Sequence, residues 1–559
     1  MRFLPSKLML SALLTGSLTL AGCTYSEIEE GARKAISSEA PGPLANSAAA
    51  RMQTDVTWLA DDAREGREAG TEGYLEAADY VAERFQSLGI APGNGDSYRQ
   101  NVEFRLSKRD DDAASLSFTN ADGSVSTLTN LQDFISGRSS DGENYAVDAP
   151  LVFAGYGVVA PGHDDYAGLD VDGKIVVYFN GAPAGLNSET RAHFRSGRVK
   201  AELAAARGAL GMIALSPLSG NAAAAWQRAT SRPDGERWSW VGPDGTANDG
   251  TYGMAPTMFL GPDGASALFE NEQIDFATLS GQVDDPQANG PLTGFALTKS
   301  ASFTGGSSIE TVESPNVVGF LEGSDPVLRD EIIVLSAHLD HVGVYQPRSG
   351  GEDFIHNGAL DNAMGISTML EVANRFFRDG APKRSVIFIA VTAEEKGLLG
   401  SDFFATHPTV DKERIVANVN LDMPLVLYPF SDVIAFGAER SSLGATVRAA
   451  AANTDVEIID DPWPNLNLFV RSDHYSFVKQ GVPSVFLFLG TGNGGQENFE
   501  KFMATNYHQP SDEIDLNIQW DEAARFANLN YLIARELADV DETPAWKEGD
   551  FFGELFGQN

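Results

Sequence analysis

Between residues 331 and 490 the chain alternates short, unbroken apolar runs with longer amphipathic stretches. "EIIVLSAHLD", "SVIFIAVTAEE", "RIVANVNLDM" and "VPSVFLFLG" are apolar for most of their length, the pattern of strands buried on both faces. Ile366, Met369, Leu370, Ala373 and Phe376 recur at steps of three and four, which predicts an amphipathic helix stopped at Gly380 and Pro382. Strand, loop and helix in repetition predict an α/β layer fold. Upstream, Leu75, Ala78, Val81, Ala82 and Phe85 keep the helical rhythm, with Thr71 as cap and Gly89 as stop, and two helices are expected from residue 45 to residue 90. Residues 150 to 300 differ in character. Short β-rich runs such as "LVFAGYGVV" and "KIVVYFN" are broken by Gly, Pro, Asn and Asp, with one alanine-rich helix around "KAELAAARGALGMIAL", so a separate, mostly β unit is expected.

Composition narrows the function. With 559 residues, 43% of them hydrophobic, the chain has material for two or three globular domains. Its 40 basic and 78 acidic residues leave a net charge of −38, a field that repels nucleic acid and anionic membrane surfaces. The single cysteine, Cys23, excludes an intrachain disulfide and ends "MRFLPSKLMLSALLTGSLTLAGC". Arg2 and Lys7 precede an apolar run too short to span a bilayer, which reads as an export signal. "LAGC" resembles a bacterial lipobox, which implies cleavage before Cys23 and a membrane anchor through lipid on that residue. Thr24 in the next position then implies an exported lipoprotein of the outer membrane or periplasmic face.

Candidate chemistry gathers where the apolar runs end. His338 and Asp340 follow the first, Glu394 and Glu395 the second, and Asp422 the third; Asp361 opens "DNAMG" and His508 lies in "YHQPSDEID". Imidazole and carboxylate suit zinc, and no cysteine is available for a thiolate site. Singly, each residue could be a helix cap, a core histidine or a surface charge. Ligand types at the same end of three successive strands, where open α/β sheets bind ligands, point instead to a metal site. Adjacent glutamates face opposite ways along an extended segment, so Glu394 and Glu395 are either surface charges or two halves of one site.

"SAHLDHVG", "GALDNAMG", "TAEEKGLLGS", "NLDM", "RSDHYSF" and "YHQPSDEID", in that order, resemble the motifs of the two-zinc exopeptidases of metallopeptidase family twenty-eight. "GYGVVAPGHDDYAGLDVDGKIVVY" and "KAELAAARGALG" resemble the protease-associated domain often inserted in them, and "GREAGTEGYLEAADYVAERFQSLGIAP" resembles their amino-terminal helix. The resemblance implies a mixed, mostly parallel sheet sandwiched by helices, with the mostly β protease-associated domain inserted. It divides the chain into a signal (1–22), a tether (23–45), two parts of a peptidase domain (46–140 and 301–545) around the insertion (141–300), and an acidic tail (546–559).

It also implies roles. Asp361 would bridge two Zn²⁺ ions, one completed by His338 and Asp422 and the other by Glu395 and His508. Asp340 would orient the His338 ring, Glu394 would carry the catalytic proton, and Tyr507 would steady the oxyanion or else pack against its loop. Arg471, Asp473 and His474 are expected to line the cleft; His341 and His356 read as loop residues and His163 as structural. The expected activity is removal of amino-terminal residues from peptides with a free amine, the insertion covering part of the cleft. The alternatives are a carboxypeptidase or glutaminyl cyclase of the same fold, or a noncatalytic ectodomain like the transferrin receptor. The oligomeric state is left open.

Overall fold

The structure, a computed structural model, describes residues 47–557 apart from 219–221, 232–234, 286, 288–291 and 347–350. The expected export signal, Cys23 and the tether lie outside the described residues. Among the described residues no helix is long and apolar enough to cross a membrane.

The strands of the main sheet are β1 (Arg99–Arg109), β2 (Arg237–Trp240), β3 (Ser307–Leu321), β4 (Ile332–His338), β5 (Ser385–Val391), β6 (Ile415–Asn420), β7 (Asp432–Phe436), β8 (Glu457–Ile459) and β9 (Ser484–Leu489). They lie in the order β2-β1-β3-β5-β4-β6-β9-β7-β8, with Ala91–Pro92 paired beside β3. The four strands β5, β4, β6 and β9 are parallel, and antiparallel pairs flank them on both sides. Every residue of β4 and β5 is buried, because alternate side chains enter different cores. Ile333, Leu335 and Ala337 pack with the helices α1 (Ala48–Leu59), α2 (Glu72–Ser87), α3 (Met364–Asp379) and α4 (Trp520–Asp539). Ile332 and Val334 join a second core with Phe404 and Phe477 on the other face. Burying such a side chain stabilises by roughly 1.5–3 kcal/mol, and the one polar residue inside β4, Ser336, is buried with its hydroxyl donating to Asn420 Oδ1 at 2.7 Å.

The helices begin and end where their sequence dictates. The Thr71 hydroxyl accepts the Tyr74 N–H at 3.3 Å at the head of α2, and Gly89, at φ 67°, lies past its end. Gly380 closes α3 at φ 88°, a left-handed conformation that favours glycine.

A second sheet runs Val125–Thr127, Ser115–Thr119, Phe295–Gly305, Tyr145–Phe153, Ile175–Phe179, Gly211–Leu215, Met258–Leu260 and Phe134–Ile135. It has its own core around Phe118, Phe153, Phe179 and Phe303. This unit is wider than residues 141–300. "SLSFT" alternates polar and apolar, so Leu116 and Phe118 reach that core, paired with Phe303 and Ala301. Arg237–Trp240, inside the expected insertion, pairs instead with β1 of the main sheet.

Residues 546–559 are not simply an acidic tail. Asp550 caps a helix, Phe551–Phe556, by accepting the Phe552 and Gly553 N–H groups, each at 3.0 Å. Phe552 is fully buried between Phe469 and Tyr475 of the main domain and His193 of the second unit. There the two units meet: His193 Nδ1 lies 2.6 Å from the Tyr475 hydroxyl, and Arg198 of the second unit pairs with Asp402 of the main domain at 3.6 Å.

Candidate metal centre

Three parallel strands deliver the site from their carboxyl ends: β4 ends in His338, β5 is followed by Glu394 and Glu395, and β6 by Asp422. The loops beyond are fixed mainly through their backbones. Arg67, fully buried, donates Nε to Leu339 O (3.0 Å), one terminal nitrogen to Leu59 O (2.7 Å) and Asn357 O (2.6 Å), and the other to Gly358 O (3.0 Å). One guanidinium therefore ties the loop after β4 to the loop before Asp361. Five N–H donors in a rigid fork suit such a clamp.

Asp340 works otherwise than expected. Its carboxylate does not reach the His338 ring; one oxygen accepts the Glu394 N–H at 3.0 Å and the other the Glu395 N–H at 3.2 Å. The His338 ring is oriented by the backbone carbonyl of Asp340, 3.1 Å from Nδ1. The turn into the glutamate pair, with Ala393 at φ 52°, exposes two N–H groups that a buried carboxylate satisfies better than a strand partner could. Asp512 does the same for Asp361, accepting the Leu360 and Asp361 N–H groups at 3.0 Å each. Asp422 is held by the Ser472 hydroxyl, which donates to Oδ2 at 2.5 Å.

These supports bring six side-chain atoms together around the two carboxylate oxygens of Asp361. His338 Nε2 lies 3.1 Å from Asp422 Oδ1 and 3.3 Å from Asp361 Oδ1. Across Asp361, His508 Nε2 lies 3.2 Å from Oδ2 and 3.1 Å from Glu395 Oε2. His341 Nδ1 lies 2.9 Å from Glu395 Oε1 and 3.9 Å from Asp361 Oδ2. His338, Asp361 and Asp422 form one group able to hold a metal ion, and His341, Asp361 and Glu395 form another. Asp361 belongs to both. His341 is thus no bystander in its loop: it is fully buried against the glutamate.

Residues 316–534 match the pattern of Peptidase family M28. This part of the chain belongs to that family. Among its relatives, "Probable leucine aminopeptidase 2" of Aspergillus fumigatus is 26% identical over 282 residues, 45% of this chain and 52% of that protein. "Aminopeptidase YwaD" of Bacillus subtilis is 29% identical over 207 residues, 36% of this chain and 40% of that protein. The matched stretch thus spans about half or less of these relatives. A solved structure of an aminopeptidase from Aneurinibacillus sp. strain AM-1 superposes on 89% of this chain and 95% of its own, at 19% identity and a TM-score of 0.47.

Within the M28 domain the charges pull the ionisable groups apart. Burial opposes protonation of His338, but Glu394, Asp422 and Asp361 outweigh it and raise its pKa well above the usual imidazole value. His508 is likewise penalised by burial, yet Asp361 and Glu395 lift it to about 10. Burial favours the neutral form of Glu395, but His341 and His508 hold it down to about 2. Glu394 has no such partner set. Burial, with repulsion from Glu395, Asp473 and Asp422 outweighing attraction to His338, pushes it well above the carboxylate range. The adjacent glutamates therefore differ in kind, as groups with divided roles do.

A cleft of about 60 Å³ opens over His338, Asp361, Glu394, Asp422 and His508. Tyr507 and Arg471 line it, the Tyr507 ring stacked on His508 at 3.8 Å. Asp473 and His474 do not; both are fully buried outside the lining, and the cleft's walls come from residues 338–508, with none from the second unit among the described residues. His356 is buried and stacked on Tyr345 at 3.8 Å, and His163 pairs with Asp165 at 2.9 Å in the second unit. Arg67, Asp512, Ser472 and His341 are the site residues that sequence reasoning did not assign. Asp512 and His341 lay inside quoted motifs, and Arg67 in "GREAG", but nothing local distinguishes a clamp from a surface charge.

Proposed function

We propose that the chain is an exported zinc aminopeptidase, held at a membrane through lipid on Cys23, with Asp361 shared between two metal ions. The observation that carries this reading is the pair of ligand groups meeting at Asp361 beside a glutamate of raised pKa. The donor set fits zinc: carboxylates and imidazoles, with Glu395 Oε1 and both nitrogens of His341 buried and without a hydrogen-bond partner. His338 and His508 hold protons against three carboxylates, Asp361, Asp422 and Glu395, the balance that cations provide when the imidazoles are neutral. His338, Asp361 and Asp422 would hold one ion, and Asp361, Glu395 and His508 the other. When bound, the ions would supply Lewis acidity and bring water toward ionisation near neutral pH.

The chain's own residues do the rest. Glu394, at the cleft wall, acts from its carboxylate form, which its raised pKa makes a stronger base: it takes a proton from the attacking water, becoming the neutral acid, and gives that proton to the leaving amine. The Tyr507 hydroxyl, whose pKa burial and the neighbouring Asp361 and Glu395 push upward, stays a hydrogen-bond donor toward the substrate carbonyl oxygen. Leu468, Phe486, Phe488, Phe499 and Met503 form an apolar wall suited to an apolar terminal side chain. The second unit, which resembles a protease-associated domain, contributes no wall to this cleft among the described residues.

Peptides with a free α-amine should be shortened one residue at a time from that end. A zinc chelator should abolish the activity and added zinc restore it, and amino-terminally acetylated copies should resist. Loss of carboxyl-terminal residues from the acetylated peptides would replace this reading with a carboxypeptidase.

A further inference from the structure

The second ligand group contains a histidine that the five-residue set leaves out. We infer that His341 is a side-chain ligand of the ion between Asp361, Glu395 and His508, so that the two metal positions are unequal; this rests on the two-ion reading above. A core histidine that is merely structural normally finds hydrogen bonds for its nitrogens. His341 is fully buried, and neither ring nitrogen has such a partner. Its Nδ1 stands 2.9 Å from Glu395 Oε1, yet that oxygen is also without a hydrogen bond. At 2.9 Å the two atoms form an ion pair without a well-aligned hydrogen bond, and both are placed to share a third partner. A cation beside Asp361 Oδ2 is that partner, since the acceptor atoms of His341, Asp361 and Glu395 lie within 4.8 Å of one another.

His341 is also held in place from three sides. Its backbone N–H donates to Arg67 O at 3.2 Å, and its ring meets His508 edge to face at 5.5 Å. Gly358, at φ 59°, presses on the ring's other side, where a Cβ would come within 2.6 Å of His341 Cγ and 2.2 Å of Asp361 O. Only glycine allows His341 and the Asp361 loop to approach this closely. The consequence is an asymmetric pair: three side chains, His338, Asp361 and Asp422, at one position, and four, His341, Asp361, Glu395 and His508, at the other.

X-ray absorption on the zinc-loaded wild-type protein should count three imidazoles per two ions, and equilibrium dialysis against graded chelator should strip the ions in two steps. His341→Gln should raise the dissociation constant of the tighter ion at least tenfold, leave the weaker one unchanged and remove one imidazole from the absorption count. The metal-free His341→Gln protein should melt as metal-free wild type does, separating loss of a ligand from loss of fold. Two imidazoles in the wild type, or both constants unchanged in His341→Gln, would overturn the inference while leaving the two-ion reading intact. A wild-type chain that binds fewer than two ions would overturn both.

Discussion

The carboxylate of Asp512 holds the backbone of Asp361: its Oδ2 accepts the Asp361 N–H at 3.0 Å while its Oδ1 accepts that of Leu360. Asp512 thereby joins the loop of His508 to the turn that carries the shared carboxylate, without touching a ligand atom. Outer supports of this kind typically contribute 10–100-fold in metal affinity. Asp512→Ala should therefore lower zinc affinity by about that factor while both ligand side chains remain. Dialysis against chelator measures it, and unchanged affinity would show that the turn is rigid without Asp512.

The paired glutamates should fail differently. Glu395→Ala removes a proposed ligand, so zinc per chain should fall. Glu394→Gln keeps the shape and all proposed ligands but no basicity, so both ions should remain while turnover drops by about 10²–10⁴-fold. Metal analysis beside steady-state kinetics separates the two, and a swap of phenotypes would reverse their roles.

His193 sets an acid limit on the contact between the two units. Burial, aided by Lys479, lowers its pKa to about 4, whereas in the unfolded chain it returns to the ordinary value of 6.5. Below pH 6.5 the unfolded state binds a proton that the folded state refuses, so stability is lost as pH falls toward 4 and the loss is complete below it. The difference corresponds to roughly 3 kcal/mol at full extent. Chemical denaturation at pH 7 and pH 4 should show this decline in the wild type and a much shallower one in His193→Gln.

The anchor is tested independently of catalysis. Cys23→Ser should move the protein from the membrane to the soluble fraction without changing turnover of a small substrate. Association that persists until detergent is added would exclude lipid on Cys23 as its cause.

The sequence disclosed what depends on continuous or periodic burial. "EIIVLSAH" and "SVIFIAV" read as strands because both faces of each are buried, and α2 and α3 read as helices because their apolar residues follow one stripe. The strand ends, with His338, Glu394, Glu395 and Asp422 beside them, followed from those assignments, whereas a place for His508 beside Asp361 was implied only by the family resemblance and His341 was read as a loop residue. Ser115–Thr119 escaped because a short, half-buried strand carries a weak signal and the gap to its partner Phe295–Gly305 is long. The tail helix escaped because the acidic residues around "FFGELF" hide an apolar face that only a partner surface explains. The role of Asp340 was misassigned for a different reason. A carboxylate two residues from a histidine can serve the ring or the backbone, and the choice depends on the turn at Ala393, which sequence does not show.

Arg67 places a condition on the order of folding. Its guanidinium meets Leu339 at a separation of 272 residues and Gly358 at 291, with the whole second sheet between them. Closing so long a loop is entropically uphill until other contacts have shortened it. Contacts of such separation form late and slow the search for the native state. The candidate metal centre is thus closed late, because Arg67 can complete its clamp only once the chain has been made through Gly358, beyond the whole of the second sheet.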